Sequence, residues 1–132
     1  MPGPIHGNQI PPLSLPQGNT CFYTALVQSS LNQYIQLTDS QGVEVLVLSG
    51  NSSSGGTPTS LGSGYFRVTD SSYTLKIGLN NGASWSSVLY DQSSVDLNGT
   101  HYYQQYTFLS EDGGDGDYND SSLCLYWFKS LG

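Results

Sequence analysis

Five of the chain's ten acidic side chains, Glu111, Asp112, Asp115, Asp117 and Asp120, fall within the single stretch Glu111-Asp112-Gly113-Gly114-Asp115-Gly116-Asp117-Tyr118-Asn119-Asp120. Carboxylates this dense, left bare and partly desolvated, repel one another by on the order of several kcal/mol. A cation removes that repulsion. Oxygen ligands with no His or Cys beside them suit a hard ion, and calcium, which takes roughly six to eight oxygens, fits carboxylates better than magnesium, which keeps more of its water. Gly113, Gly114 and Gly116 let the backbone enter positive-φ regions, so that the carboxylates between them converge. The oxygens on offer exceed the needs of one ion, which points to two adjacent ions sharing bridging carboxylates and open to a neutral polyol. Asp115-x-Asp117-x-Asn119 imitates the start of an EF-hand loop, but Asp120 stands at that loop's glycine and Tyr126 at its terminal glutamate, so the EF-hand reading fails. The plainer alternative for a run of Asp and Gly is a solvated turn holding no ion.

The rest of the chain must position that loop. At 132 residues it is long enough for one domain with its own core. Charged residues make up only 10%, so Ser, Thr, Asn, Gln, Gly and Tyr must cover much of the surface, which suits neutral polar ligands. A net charge of −7, with Arg67, Lys76 and Lys129 the only cations beside the histidines, leaves no patch for phosphates, and nucleic acid is not expected as a partner. Met1 to Gly7 has neither the basic start nor the apolar run of a signal peptide, and no stretch approaches the ~20 apolar residues of a membrane span. The expectation is a soluble protein, cytoplasmic or released to the cell surface by a non-Sec route.

Residues 1–18, with Pro2, Pro4, Pro11, Pro12 and Pro16, read as a loosely packed lead-in, and residues 19–132 as the domain proper. Val43, Val45 and Val47 alternate with Glu44 and Leu46, and Tyr73, Leu75, Ile77 and Leu79 alternate with Thr74, Lys76 and Gly78. This is the period-two pattern of half-buried strands. Turn-prone clusters separate such runs, Asn98-Gly99 being a type I′ hairpin signal. An all-β fold is expected, an antiparallel β-sandwich of about nine strands. The last run, Leu123 to Phe128, is apolar on both faces, which hints that another subunit covers one of them. Cys21 and Cys124 can pair only if the first and last strands lie side by side; two separate thiols are the plainer reading.

The acidic stretch, taken as Ser110-Glu111-Asp112-Gly113-x-Asp115-x-Asp117-Tyr118-Asn119-Asp120, resembles without a gap the signature loop of the bacterial calcium-dependent fucose- and mannose-binding lectins, the fucose-binding lectin II family. The likeness extends to Trp127 and the Leu131-Gly132 end, and upstream to Leu15-Pro16, Asn19-Thr20, Thr24-Ala25 and Gln28-Ser29-Ser30. It implies two calcium ions side by side that bind sugar hydroxyls directly. Implied metal ligands are Glu111, Asp115, Asp117, Asn119, Asp120, the main-chain carbonyl of Gln28, and the terminal carboxylate of Gly132 reaching into a partner's site. Implied sugar contacts are Ser29 and Ser30 in the selecting loop, Asp112 and Gly113, with Asp115, Asp117 and Asp120 shared between metal and sugar. The resemblance thus implies fucose- or mannose-containing glycans as partners and a homodimer or homotetramer.

Two rivals stand beside this reading. Catalysis would need more than His6 and His101 as bases, and no nucleophile motif such as Gly-x-Ser-x-Gly is present, so no enzyme is expected. The other is an adhesion or assembly domain in which calcium only pins the loop and no monosaccharide binds. Tyr102, Tyr103, Tyr106, Trp85 and Trp127 are expected to pack rather than to stack on a sugar.

Overall fold

The computed structural model describes residues 5–6, 10–52, 57–113 and 116–130. They form eleven antiparallel strands in two sheets. One sheet runs β1 (Ile5–His6), β9 (Ser87–Leu97), β10 (Thr100–Glu111), β11 (Ser121–Phe128), β3 (Thr20–Val27), β6 (Thr59–Arg67). The other runs β2 (Leu13–Ser14), β7 (Ser72–Leu79), β4 (Gln33–Asp39), β5 (Glu44–Gly50), with β8 (Ser84–Trp85) paired to β7. The β-sandwich expected from period two is the fold found.

Alternation decides which side chains meet between the sheets. Tyr73, Leu75 and Ile77 of β7, Ile35 and Leu37 of β4, Phe108 of β10, and Leu123 and Leu125 of β11 are all 0% exposed. In the edge strand β5 the buried residue is Leu46, with Val45 and Leu48 partly buried against the core, while Val47 and the preceding Val43 are exposed. Asn98 and Gly99, at φ 51° and 80°, make the tight turn between β9 and β10 that their types predict. Gly78 has a different reason: a Cβ there would lie 2.1 Å from the carbonyl oxygen of Ser84 on the neighbouring β8.

Of the expected lead-in, the part from Ile10 onward is packed rather than loose. Leu13 and Ser14 pair with Tyr73 and Ser72, and Ile10, Leu13 and Leu15 are core residues. Their spacing is too short to show periodicity among so many prolines. β11 does lie beside β3, yet Cys124 faces Thr24, three residues along from Cys21, so the two thiols point to opposite faces and stay unpaired. Burial pushes the Cys21 thiol up to about 12, which makes it an inert core group. Among the described residues no helix is long and apolar enough to cross a membrane.

Candidate functional site

The acidic loop joins the end of β10 to the start of β11, the two central strands of the larger sheet, so its two ends are held by the Ser110↔Ser121 pair. Behind the loop those two buried hydroxyls lie 2.5 Å apart. The Asp120 amide donates to the Ser110 carbonyl (3.1 Å), and the Gln28 amide, just past β3, donates to the Asp120 carbonyl (3.0 Å). Strand pairing thereby brings an early loop, Gln28-Ser29-Ser30, against a late one. Sequence separation gives no hint of that contact, because it exists only once β3 and β11 are neighbours.

Inside the loop the carboxylates are also scaffold. Glu111, 7% exposed, accepts from the amides of Gly113 and Tyr118, each at 3.0 Å, and so closes the loop on itself. Asp120 Oδ2 accepts from the Asp112 amide at 2.8 Å. The turn passes through Gly116 at φ 73° and Tyr118 at φ 53°, a left-handed conformation that a non-glycine residue adopts rarely and that marks a constrained segment. With its amide nitrogen turned toward Asp117, Asn119 donates to Asp117 Oδ1 at 2.7 Å.

Ligand oxygens of Glu111, Asp117 and Asp120 all lie within 4.8 Å of one another. Burial, with the Asp112 and Glu111 carboxylates close by, pushes the Asp120 carboxyl up to about 6, although the Asp112 amide works the other way. The group is held where its charge is unwelcome unless a cation arrives. A hard divalent ion fits this donor set: all oxygen, three carboxylates converging, no His or Cys among them.

Of the predicted residues, Glu111, Asp117 and Asp120 converge, with Asn119 on Asp117, and Gln28 is tied to Asp120 through the backbone. Asp112 accepts at one oxygen from Ser29 Oγ, 2.6 Å away. Ser30 is exposed at the lip, its carbonyl accepting from Asn51 Nδ2 at 3.0 Å, and Gly113 is exposed beside Glu111. Asp115 and Gly132 lie outside the described residues. Gln33, 0% exposed and 2.7 Å from Asp112, is a neighbour of the site that the sequence reading missed. The signal was a polar residue at an inward position of a strand that continues with Ile35 and Leu37.

The aromatic residues mostly pack. Tyr106 and Trp127 are buried, their rings 5.9 Å apart, while Trp85 and Tyr102 keep more exposure and carry Lys76 and Lys129 over their faces. His101 lies far along β10 from the loop and is paired with Asp96 at 2.5 Å.

The model of the family described as fucose-binding lectin II (PA-IIL) matches residues 13–129. Thrombocorticin, from Corticium sp., is 35% identical over 114 residues, which cover 82% of this chain and 85% of that protein. The high-affinity mannose-binding lectin of Ralstonia solanacearum shares the fold with a TM-score of 0.75 at 24% identity, over 94% of this chain and 99% of that one. The Chromobacterium violaceum lectin CV2L, solved with alpha-methyl-fucoside, is similar at a TM-score of 0.74 and 25% identity, over 94% of this chain and 99% of that one.

Proposed function

Because the chain belongs to the fucose-binding lectin II family, we propose that it is a calcium-dependent, non-enzymatic lectin for fucose- and mannose-type sugars. The observation that carries the reading is the convergence of Glu111, Asp117 and Asp120 within 4.8 Å. Glu111, Asp117, Asn119 and Asp120 would hold calcium, joined by Asp115, the Gln28 carbonyl and Gly132 of a partner copy. Two ions in this set replace water on vicinal sugar hydroxyls and give charge-assisted contacts that a neutral site lacks. Asp112, Ser29, Ser30 and Gly113 would meet the sugar beside the ions. Related proteins whose names or structures carry mannose and fucose support that class of ligand.

Titration calorimetry with methyl fucoside and methyl mannoside, in calcium and then in excess chelator, tests this. Heat from at least one sugar, lost on chelation, is expected. Calcium binding without heat from either sugar would leave the adhesion or assembly reading, in which the ion pins the loop and no monosaccharide binds.

The chain is also proposed to work as a homodimer or homotetramer. Phe22 stacks on Tyr126 with ring centres 5.5 Å apart and meets Phe128 edge-on at 5.8 Å, all on the outer face of the larger sheet. Phe128 is 48% and Tyr65 71% exposed there, an aromatic patch of the kind a second copy covers. Several sites per assembly multiply a weak single-site affinity. Sedimentation at micromolar concentration should give a dimer or larger; a monomer overturns this part of the reading.

A further inference from the structure

We propose that Gln33 is a positioning residue that orients the Asp112 carboxylate and so makes the site demand a donating hydroxyl from its ligand. The ligand half of this rests on the lectin reading; the orienting half does not.

The inward positions at the start of β4 are Gln33, Ile35 and Leu37, each 0% exposed. A methionine would fill the first of them without placing a polar group in the core, whereas a buried amide has two ends to satisfy. Here only one end is satisfied. Nε2 donates to Asp112 Oδ2 at 2.7 Å and to the Leu31 carbonyl at 3.3 Å, and two acceptors on that side fix which way the amide points. Oε1 is buried with no hydrogen-bond partner among the described residues. The core thus tolerates an orphaned oxygen at this position, and what the amide supplies in return is its donor on Asp112.

Ser29 completes the clamp. Its Oγ accepts from the Leu31 amide at 3.0 Å and donates to the same Asp112 oxygen at 2.6 Å, so its proton is committed. Two donors from two different elements, β4 and the loop after β3, meet on Oδ2 and resist rotation of the carboxylate. Among the described residues no amide or hydroxyl is placed on Oδ1, and with Oδ2 occupied it is the oxygen that would accept from a ligand. A hydroxyl that donates satisfies it; the same sugar with that hydroxyl removed or methylated leaves a carboxylate oxygen facing no donor.

The test replaces Gln33 with Met, which keeps length and volume and deletes the donor. Calcium, methyl fucoside and methyl mannoside are titrated into both proteins. Calcium affinity should stay within about twofold, sugar affinity should fall about tenfold, the scale of one hydrogen bond to a charged group, and the fucoside-to-mannoside ratio should change. A merely structural role for Gln33 lowers the melting temperature but leaves that ratio alone; both sugars within about twofold of wild type would overturn the proposal. If the Met variant does not fold, Gln33→Leu removes the same donor without adding a charge beside Asp112, and the same outcomes apply. If wild type binds neither sugar, the lectin reading has failed and the orienting role is decided by the carbon-13 resonance of the Asp112 side-chain carboxyl. A shift between wild type and the Met variant supports the clamp, and an unmoved resonance ends it.

Discussion

Replacing Asp120 with Ala is expected to weaken calcium binding by roughly a hundredfold or more and to abolish calcium-dependent sugar binding with it. The carboxylate sits within 4.8 Å of those of Glu111 and Asp117, so its loss removes a central member of the converging set. The fold should survive, because the bonds that dock this residue to Ser110 and Gln28 are made by its backbone. Asp120→Asn keeps an acceptor for the Asp112 amide and separates loss of charge from loss of loop closure. The same carboxyl adds a contribution of its own to the pH response of the ion-free protein. Pushed up to about 6 when folded and lying near 3.9 when unfolded, it binds more protons in the folded state between those values. Its contribution to stability therefore falls as pH rises from about 4 to about 6 and stays reduced above that, the reverse of Asp70 and Asp96, whose carboxyls are lowered by hydrogen bonds from Ser40 and His101. Calcium competes with that proton, so its affinity should drop as pH falls below about 6, and the Asn variant should lose this dependence. Calcium titrations of wild type and both variants at pH 5 and pH 7.5 decide the matter. Undiminished calcium affinity in Asp120→Ala would sink the assignment of the loop as an ion site.

Phe108→Ala should cost about 3–5 kcal/mol, a large share of the ~5–15 kcal/mol that holds a domain of this size together. Phe108 is 0% exposed, pairs across the strand with Leu123, which is equally buried, and stacks with Tyr90 and Tyr106 at ring distances of 5.7 and 5.9 Å. Truncation removes the transferred ring and leaves a cavity that neighbours on two rigid strands cannot close. The thermal midpoint should fall on the order of 10–20 °C. Val95→Ala on the same sheet, 61% exposed, should change stability by less than about 0.5 kcal/mol. A Phe108→Ala midpoint within about 3 °C of wild type would mean that this layer does not anchor the sandwich. The consequence for the site is direct, since β10 and β11 are the strands from which the acidic loop is hung.

Much of this was legible because it depends on local rules. Period two named Tyr73, Leu75 and Ile77 as one face, and those three are core. Asn98-Gly99 announced its hairpin, since a residue pair that tolerates positive φ at both positions suits few other turns. Around β5 period two marked a half-buried strand without naming its inward face: Leu46 is buried while Val47 is exposed, because an edge strand with one open side does not have to bury its most β-prone residues. The proline-rich start misled for a related reason: prolines look like punctuation, while the pairing of Leu13 and Ser14 with β7 depends on a strand some sixty residues away.

The sequence by itself determined which donors the site offers: carboxylates and glycines concentrated in one loop with no soft ligands beside them, a set that a hard cation would suit. It also determined the fold class, because side chains that alternate at period two bury one face only when sheets stack. The resemblance placed Gln28 and Ser29 at the site, but only the tertiary structure shows how they, and Gln33 with them, reach that loop. Gln28 reaches Asp120 because β3 is hydrogen-bonded to β11, and Ser29 and Gln33 reach Asp112 because the loop after β3 and the start of β4 close over it. No local propensity encodes a contact between residues 79 positions apart. It exists only when strand order brings the two ends of the chain to one rim of the sandwich.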